Sequence, residues 1–156
     1  MVNTFINLYE ATFPINLVKD LKSIEGLENL GNLEEKIKIN FRIKKILTNS
    51  FIIQGDIKAT FQSECQRCSK VSPVVLAIKS KVHIKDKSKE GLDLKSPYEI
   101  HYQNLQSFNI DIFVREEIYL NFPSIFLCCV TESYKKDNIN HERKVQPLKK
   151  IKDLMK

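Results

Sequence analysis

The chain has no tryptophan, only four glycines and only three histidines in 156 residues. So few glycines leave no Gly-rich loop of the kind that cradles a phosphate. The histidines, His83, His101 and His141, are scattered and supply no converging acid–base or nucleophile set, which argues against an enzyme. No window approaches the roughly 18 apolar residues that a membrane span requires. The segment Met1 to Glu10 lacks both a basic start and a continuous apolar run, so it does not read as a signal peptide. These absences point to a cytoplasmic protein with no membrane partner and no small-molecule substrate. In that compartment structural disulfides are unusual, and cysteines more often serve metal or redox chemistry. Internal repeats and low-complexity blocks are also missing.

What the chain does have is an uneven excess of positive charge. The formal charge is +6, and four of those six charges fall after residue 127. A basic tail on a nearly neutral body suits a polyanionic partner, nucleic acid before membrane. Length and composition divide the chain into a single domain over 1–130 and a basic linker with a short amphipathic helix over 131–156. The tail includes Lys149 and Lys150.

Within the body, hydrophobic periodicity changes along the chain. Residues 3–11 read as a short first strand. From Pro14 to about Leu33, Leu17, Leu21, Ile24 and Leu27 recur at helical intervals, and a helix is expected up to Glu25. From Glu35 the period becomes two: Ile37, Ile39, Phe41 and Ile43 face one way, while Lys36, Lys38, Asn40, Arg42 and Lys44 face the other. Thr48-Asn49-Ser50 is turn chemistry, and Phe51 to Phe61 resume the alternation. Val74, Leu76, Ile78, Val82 and Ile84 then point inward, with Lys79, Lys81, His83 and Lys85 opposite. Three such strands with short connections predict an antiparallel meander.

A charged loop is expected over Lys85 to Ser96, and Tyr98, Ile100 and Tyr102 suggest a fourth strand. Asn109 is a suitable N-cap for a helix over 109–121, with Asp111 in its first turn. Ile110, Phe113, Val114 and Ile118 form its apolar stripe, and Pro123 ends it. The fold class is therefore α+β: a β-meander with one packed helix and a flexible basic C-terminal tail.

The meander turns at Cys65-Gln66-Arg67-Cys68. A C-x-x-C at a hairpin turn brings two thiolates close enough to grip one soft metal ion. The remaining cysteines, Cys128 and Cys129, are adjacent. Four sulfurs can therefore close into one structural zinc site, with His83 or His141 as a substitute fourth ligand. Reduced, partly buried thiols are an equally open reading, and a redox pair or disulfide is a third. For the basic strand faces, solubility and edge protection are the ordinary explanations. Their near purity of sign adds a second: Lys36, Lys38, Arg42, Lys44, Arg67, Lys79, Lys81 and Lys85 as phosphate contacts, with Tyr98 and Tyr102 packed in the core first or, failing that, able to stack on bases.

In order, the motif Glu64-Cys65-Gln66-Arg67-Cys68-Ser69-Lys70, the segment Tyr98-Glu99-Ile100, the helix Asn109 to Pro123 and the ending Pro147 to Leu154 resemble the bacterial YceD family, the large ribosomal RNA accumulation proteins. The resemblance spans roughly residues 35–156. It implies a non-enzymatic ribosome-biogenesis factor that promotes synthesis, processing or accumulation of large-subunit ribosomal RNA. The expected partner is that RNA or a precursor particle. The alternative is a module that binds a ribosomal protein or assembly factor through the helix 109–121, with thiol redox activity a distant third. Cys128 and Cys129 stand back to back here, whereas family members space their later cysteines apart.

Overall fold

A computed structural model describes residues 4–91 and 98–129. The expected tail, with Lys149, Lys150 and His141, lies outside the described residues. In chain order the strands are β1 (Phe5–Ile6), β2 (Ile15–Leu21), β3 (Asn32–Leu33), β4 (Ile37–Leu47), β5 (Ser50–Glu64), β6 (Val71–Asp86), β7 (Ile100–Gln103) and β8 (Phe108–Asn109); the helix α1 follows at Ile110–Asn121. The class is mixed α+β, with mostly antiparallel strands and one helix among the described residues.

The main sheet runs β2-β4-β5-β6-β7, with β3 added beside β5. Its centre is the meander that the alternation predicts. β4, β5 and β6 pair antiparallel through Thr48-Asn49 at one end and the Cys65–Cys68 turn at the other. β7 joins the far edge parallel to β6, from His83↔Ile100 to Asp86↔Gln103. β1 and β8 form a separate two-stranded ribbon.

The N-terminal expectations need correction. The first strand is only Phe5–Ile6, and the segment read as a helix after Pro14 is the edge strand β2. β2 pairs with β4 from Ile15↔Ile43 to Leu21↔Ile37. Leu17 and Leu21 fit a helical interval, but they are also an even number of residues apart. With Ile15 they line one side of a strand, and the open edge of β4 supplies the ladder that settles the choice. The charged loop also starts later than expected: β6 continues to Asp86, where a 3-10 turn over Lys87–Lys89 begins.

Among the described residues, one face of the sheet is covered and the other is not. Phe41, Phe51 and Phe61 project from the covered face into a core that also takes Phe108 and Phe113. Each such ring contributes roughly 1.5–3 kcal/mol by leaving water. α1 lies on this side: Phe113 meets Phe41 edge-on at 5.5 Å between centroids, and Phe122 meets Phe61 at 5.8 Å. The helix begins as its sequence predicts, with Asn109 Oδ1 accepting from the Asp111 amide at 2.8 Å. Ile110, Phe113, Val114 and Ile118 are all buried. Glu117 is buried with them, and Ser80 of β6 donates a hydrogen bond to its carboxylate.

Candidate metal centre and basic sheet face

The Cys65–Cys68 turn is fixed by its own backbone. The Cys65 amide donates to the Lys70 carbonyl at 2.9 Å, and the Ser69 amide returns to the Cys65 carbonyl at 3.0 Å. Ser69 takes φ 56°, a left-handed conformation that closes the turn. The segment leaving α1 then lies against it, with the Gln66 amide donating to the Phe126 carbonyl at 3.1 Å. Pro123 ends the helix and sends the chain back toward the hairpin, and this route carries Cys128 and Cys129 to the turn.

The four sulfurs meet there. Cys68 Sγ lies 3.4 Å from Cys128 Sγ, and Cys65 Sγ lies 3.9 Å from Cys129 Sγ. Cys65, Cys68 and Cys128 form a mutual set with every sulfur within 4.8 Å of the others, and Cys129 stands just outside it. A tetrahedral zinc site with bonds of about 2.3 Å has sulfurs about 3.8 Å apart, so the donor set fits such an ion. All four cysteines are free thiols, and 3.4 Å is far longer than the ~2.05 Å of a disulfide.

Their protonation is unequal. The backbone amides of Cys68 and Arg67 point at Cys65 and, with the Cys128 amide at 3.3 Å, hold its thiol down at about 5 against the opposing effect of burial. Cys129 is pushed up to about 11, first by burial and then by its bonds to Cys68 and Cys65. Cys128 is also raised: the Ser72 hydroxyl lowers it, but Cys68, burial and Cys65 together outweigh that. One thiolate thus sits among sulfurs that resist a second negative charge, and a bound divalent cation would relieve that conflict. His83 is not available as a ligand here; it lies near the opposite end of β6, where its ring stacks on Tyr98.

The second feature is the uncovered face of the sheet. Register lines up rows across β4, β5 and β6: Lys38, Lys58 and Ala77; Asn40, Asp56 and Lys79; Arg42, Gln54 and Lys81. The two strand faces that the sequence presents separately are therefore one surface, spread on either side of β5. Lys36, Lys38, Arg42, Lys44, Lys79 and Lys81 are exposed on it, and Lys85 is half-buried at its end. Lys58 completes the surface: the alternation of β5 already turns it to the polar side, but its place beside Lys38 appears only with the register. Lys36, Lys38 and Lys58 also wall a cleft of about 200 Å³ whose floor includes Val75 and Ala77.

Carboxylates are sparse on this face. Glu35 lies 3.8 Å from Lys38, and Asp20 and Asp56 occupy register positions beside lysines. Lys36, Arg42, Lys44, Lys58 and Lys79 form no ion pair among the described residues. Arg67 is not brought to this cluster's far end: Val71 and Lys85 are roughly 45 Å apart along β6 at ~3.3 Å per residue. The helix that the alternative reading offers to a protein partner packs its apolar stripe on the core, as expected, and turns Ile112, Tyr119 and Leu120 outward. No helix among the described residues is long and apolar enough to cross a membrane. Comparison with protein-family models, curated proteins and solved structures found no match.

Proposed function

We propose that this protein is a non-enzymatic, cytoplasmic ribosome-biogenesis factor that binds large-subunit ribosomal RNA or its precursor through the uncovered sheet face. The observation that carries the reading is the juxtaposition of Lys38 with Lys58, amid Lys36, Arg42, Lys79 and Lys81, on one surface. Like charges set directly across a strand pair destabilise a sheet. A phosphate backbone lying over them turns that cost into affinity. The ribosomal assignment within the nucleic-acid class rests on the family resemblance in the sequence. In the same reading a zinc ion held by Cys65, Cys68, Cys128 and Cys129 serves structure alone, pinning the segment after α1 to the hairpin turn.

The test is a salt titration of binding to a large-subunit ribosomal RNA fragment. Replacing Lys38, Lys58 and Lys79 together by Glu is expected to weaken binding at least tenfold. It should also flatten the slope of log K against log salt by roughly two to three, at about 0.7–0.9 per lost phosphate contact. Affinity and slope equal to those of the unaltered chain would refute the assignment of this face.

A further inference from the structure

At the β6–β7 end, the basic face carries an aromatic pair. Tyr98 is 47% exposed, and its ring stacks on His83 with centroids 4.6 Å apart and planes 10° from parallel. Lys81 Nζ lies 5.7 Å from the centre of the same tyrosine ring. His83 is anchored from below, its amide bonded to the Glu99 carbonyl at 2.9 Å, so strand pairing holds both members of the stack. It sits between Lys81 and Lys85 on one side of β6. Burial, then Lys85 and Lys81, keep its imidazole below the usual histidine range, so the ring is neutral beside the lysines.

We propose that this face takes single-stranded rather than base-paired RNA, with Tyr98, backed by His83, as the stacking platform for one unpaired base. The inference rests on the RNA reading above and specifies its substrate. An aromatic ring standing on a sheet offers its face only to a base that has left its own stack. In a duplex the base faces are covered by their neighbours, and such a platform gains nothing from them. Lys81 and Lys79 lie two and four residues before His83 on the same side of the strand, so phosphates flanking the stacked base have cations within reach. Stacking of this kind tolerates any base, as suits a surface whose other contacts are to the backbone.

The experiment measures fluorescence anisotropy with a labelled mixed-sequence RNA single strand, and with the same strand annealed to its complement. The unaltered chain is expected to bind the single strand at least about tenfold more tightly than the duplex. Tyr98→Ala should weaken single-strand binding about tenfold with no change in salt slope, because no phosphate contact is lost, and Tyr98→Phe should retain it. Duplex binding as tight as single-strand binding, or a Tyr98→Ala chain that binds like the unaltered one, overturns the stacking inference while leaving RNA binding in place. An unaltered chain that binds neither probe refutes the RNA reading itself, and this inference with it.

Discussion

Burial beneath the sheet raises the Glu117 carboxyl above the usual glutamate range, and the nearby Glu99 and Glu116 add to the rise. The Ser80 hydroxyl bonded to it works the other way but does not win. A group whose folded pKa is raised contributes stability that is present below its unfolded pKa and lost as pH rises through the folded one. Glu117 therefore favours folding in acid and opposes it at neutral pH. Glu117→Gln keeps an acceptor for Ser80 and removes the charge. It should raise the melting temperature at pH 7.5 and leave it nearly unchanged at pH 4; an equal gain at both pH values would mean that charge is not the cause. The adjacent Glu116 reaches outward. It accepts from His101 Nδ1 at 2.6 Å, while His101 Nε2 accepts from Gln103 Nε2 at 2.9 Å. With one nitrogen donating and the other accepting, His101 is neutral, in keeping with the downward push of its burial, which outweighs Glu116.

Among the elements, the β4–β5 pair depends on one missing side chain. Gly55 faces Phe41 in the register, and a Cβ there would fall 2.8 Å from Phe41 Cα and press still harder on the Asn40 carbonyl oxygen. Both obstacles are backbone held in the ladder, so neither can swing aside. Gly55→Ala should cost about 1–3 kcal/mol, read as a lower urea midpoint with an unchanged m-value. An alanine variant as stable as the unaltered chain would show that the two strands can separate locally without cost. Elements of this kind differ in how plainly they can be read. The alternation of β4, β5 and β6 is unambiguous, since Ile37 to Ile43 and Val74 to Ile84 bury every second residue. The helix was equally plain because Asn109, Asp111 and Pro123 mark both ends. β2 was not, because Leu17 and Leu21 satisfy both periods and only the edge of β4 decides between them. The parallel direction of β7 and the burial of Glu117 depend on contacts between distant residues, which no local pattern encodes. For the same reason the lysines could be named from sequence, but not their convergence with Lys58 on one surface.

At the scale of the whole molecule, the cysteine cluster joins parts of the chain that are otherwise loosely attached. The sheet and α1 already share a core of buried phenylalanines, and that core needs no metal. Beyond Phe122 the chain leaves the helix, and Ile125 and Leu127 remain exposed. Phe126 alone in that stretch packs partly against the core, and hydrogen bonds tie the stretch to the turn only at Gln66, whose amide and side chain donate to the Phe126 and Ser124 carbonyls, and at Cys65, whose sulfur accepts from the Cys128 amide. Two pairs of sulfurs, 60 or more residues apart in the chain, can hold this segment much more firmly, but only when an ion offsets the cost of gathering their negative charge. Purified protein should accordingly carry about one zinc per chain by atomic emission. Chelation should leave the far-ultraviolet circular dichroism intact, strip hydrogen-exchange protection from the Gln66 amide and lower the melting temperature. A loss of ~3 kcal/mol corresponds to roughly 6–12 °C in a chain of this size. Cys65→Ser should reproduce the chelated state without chelator, since Cys65 belongs to the mutual set and also neighbours Cys129. If metal-free protein keeps both its melting temperature and the Gln66 protection, the cluster is a set of packed thiols, and the segment after α1 is held by Phe122 and Phe126 instead.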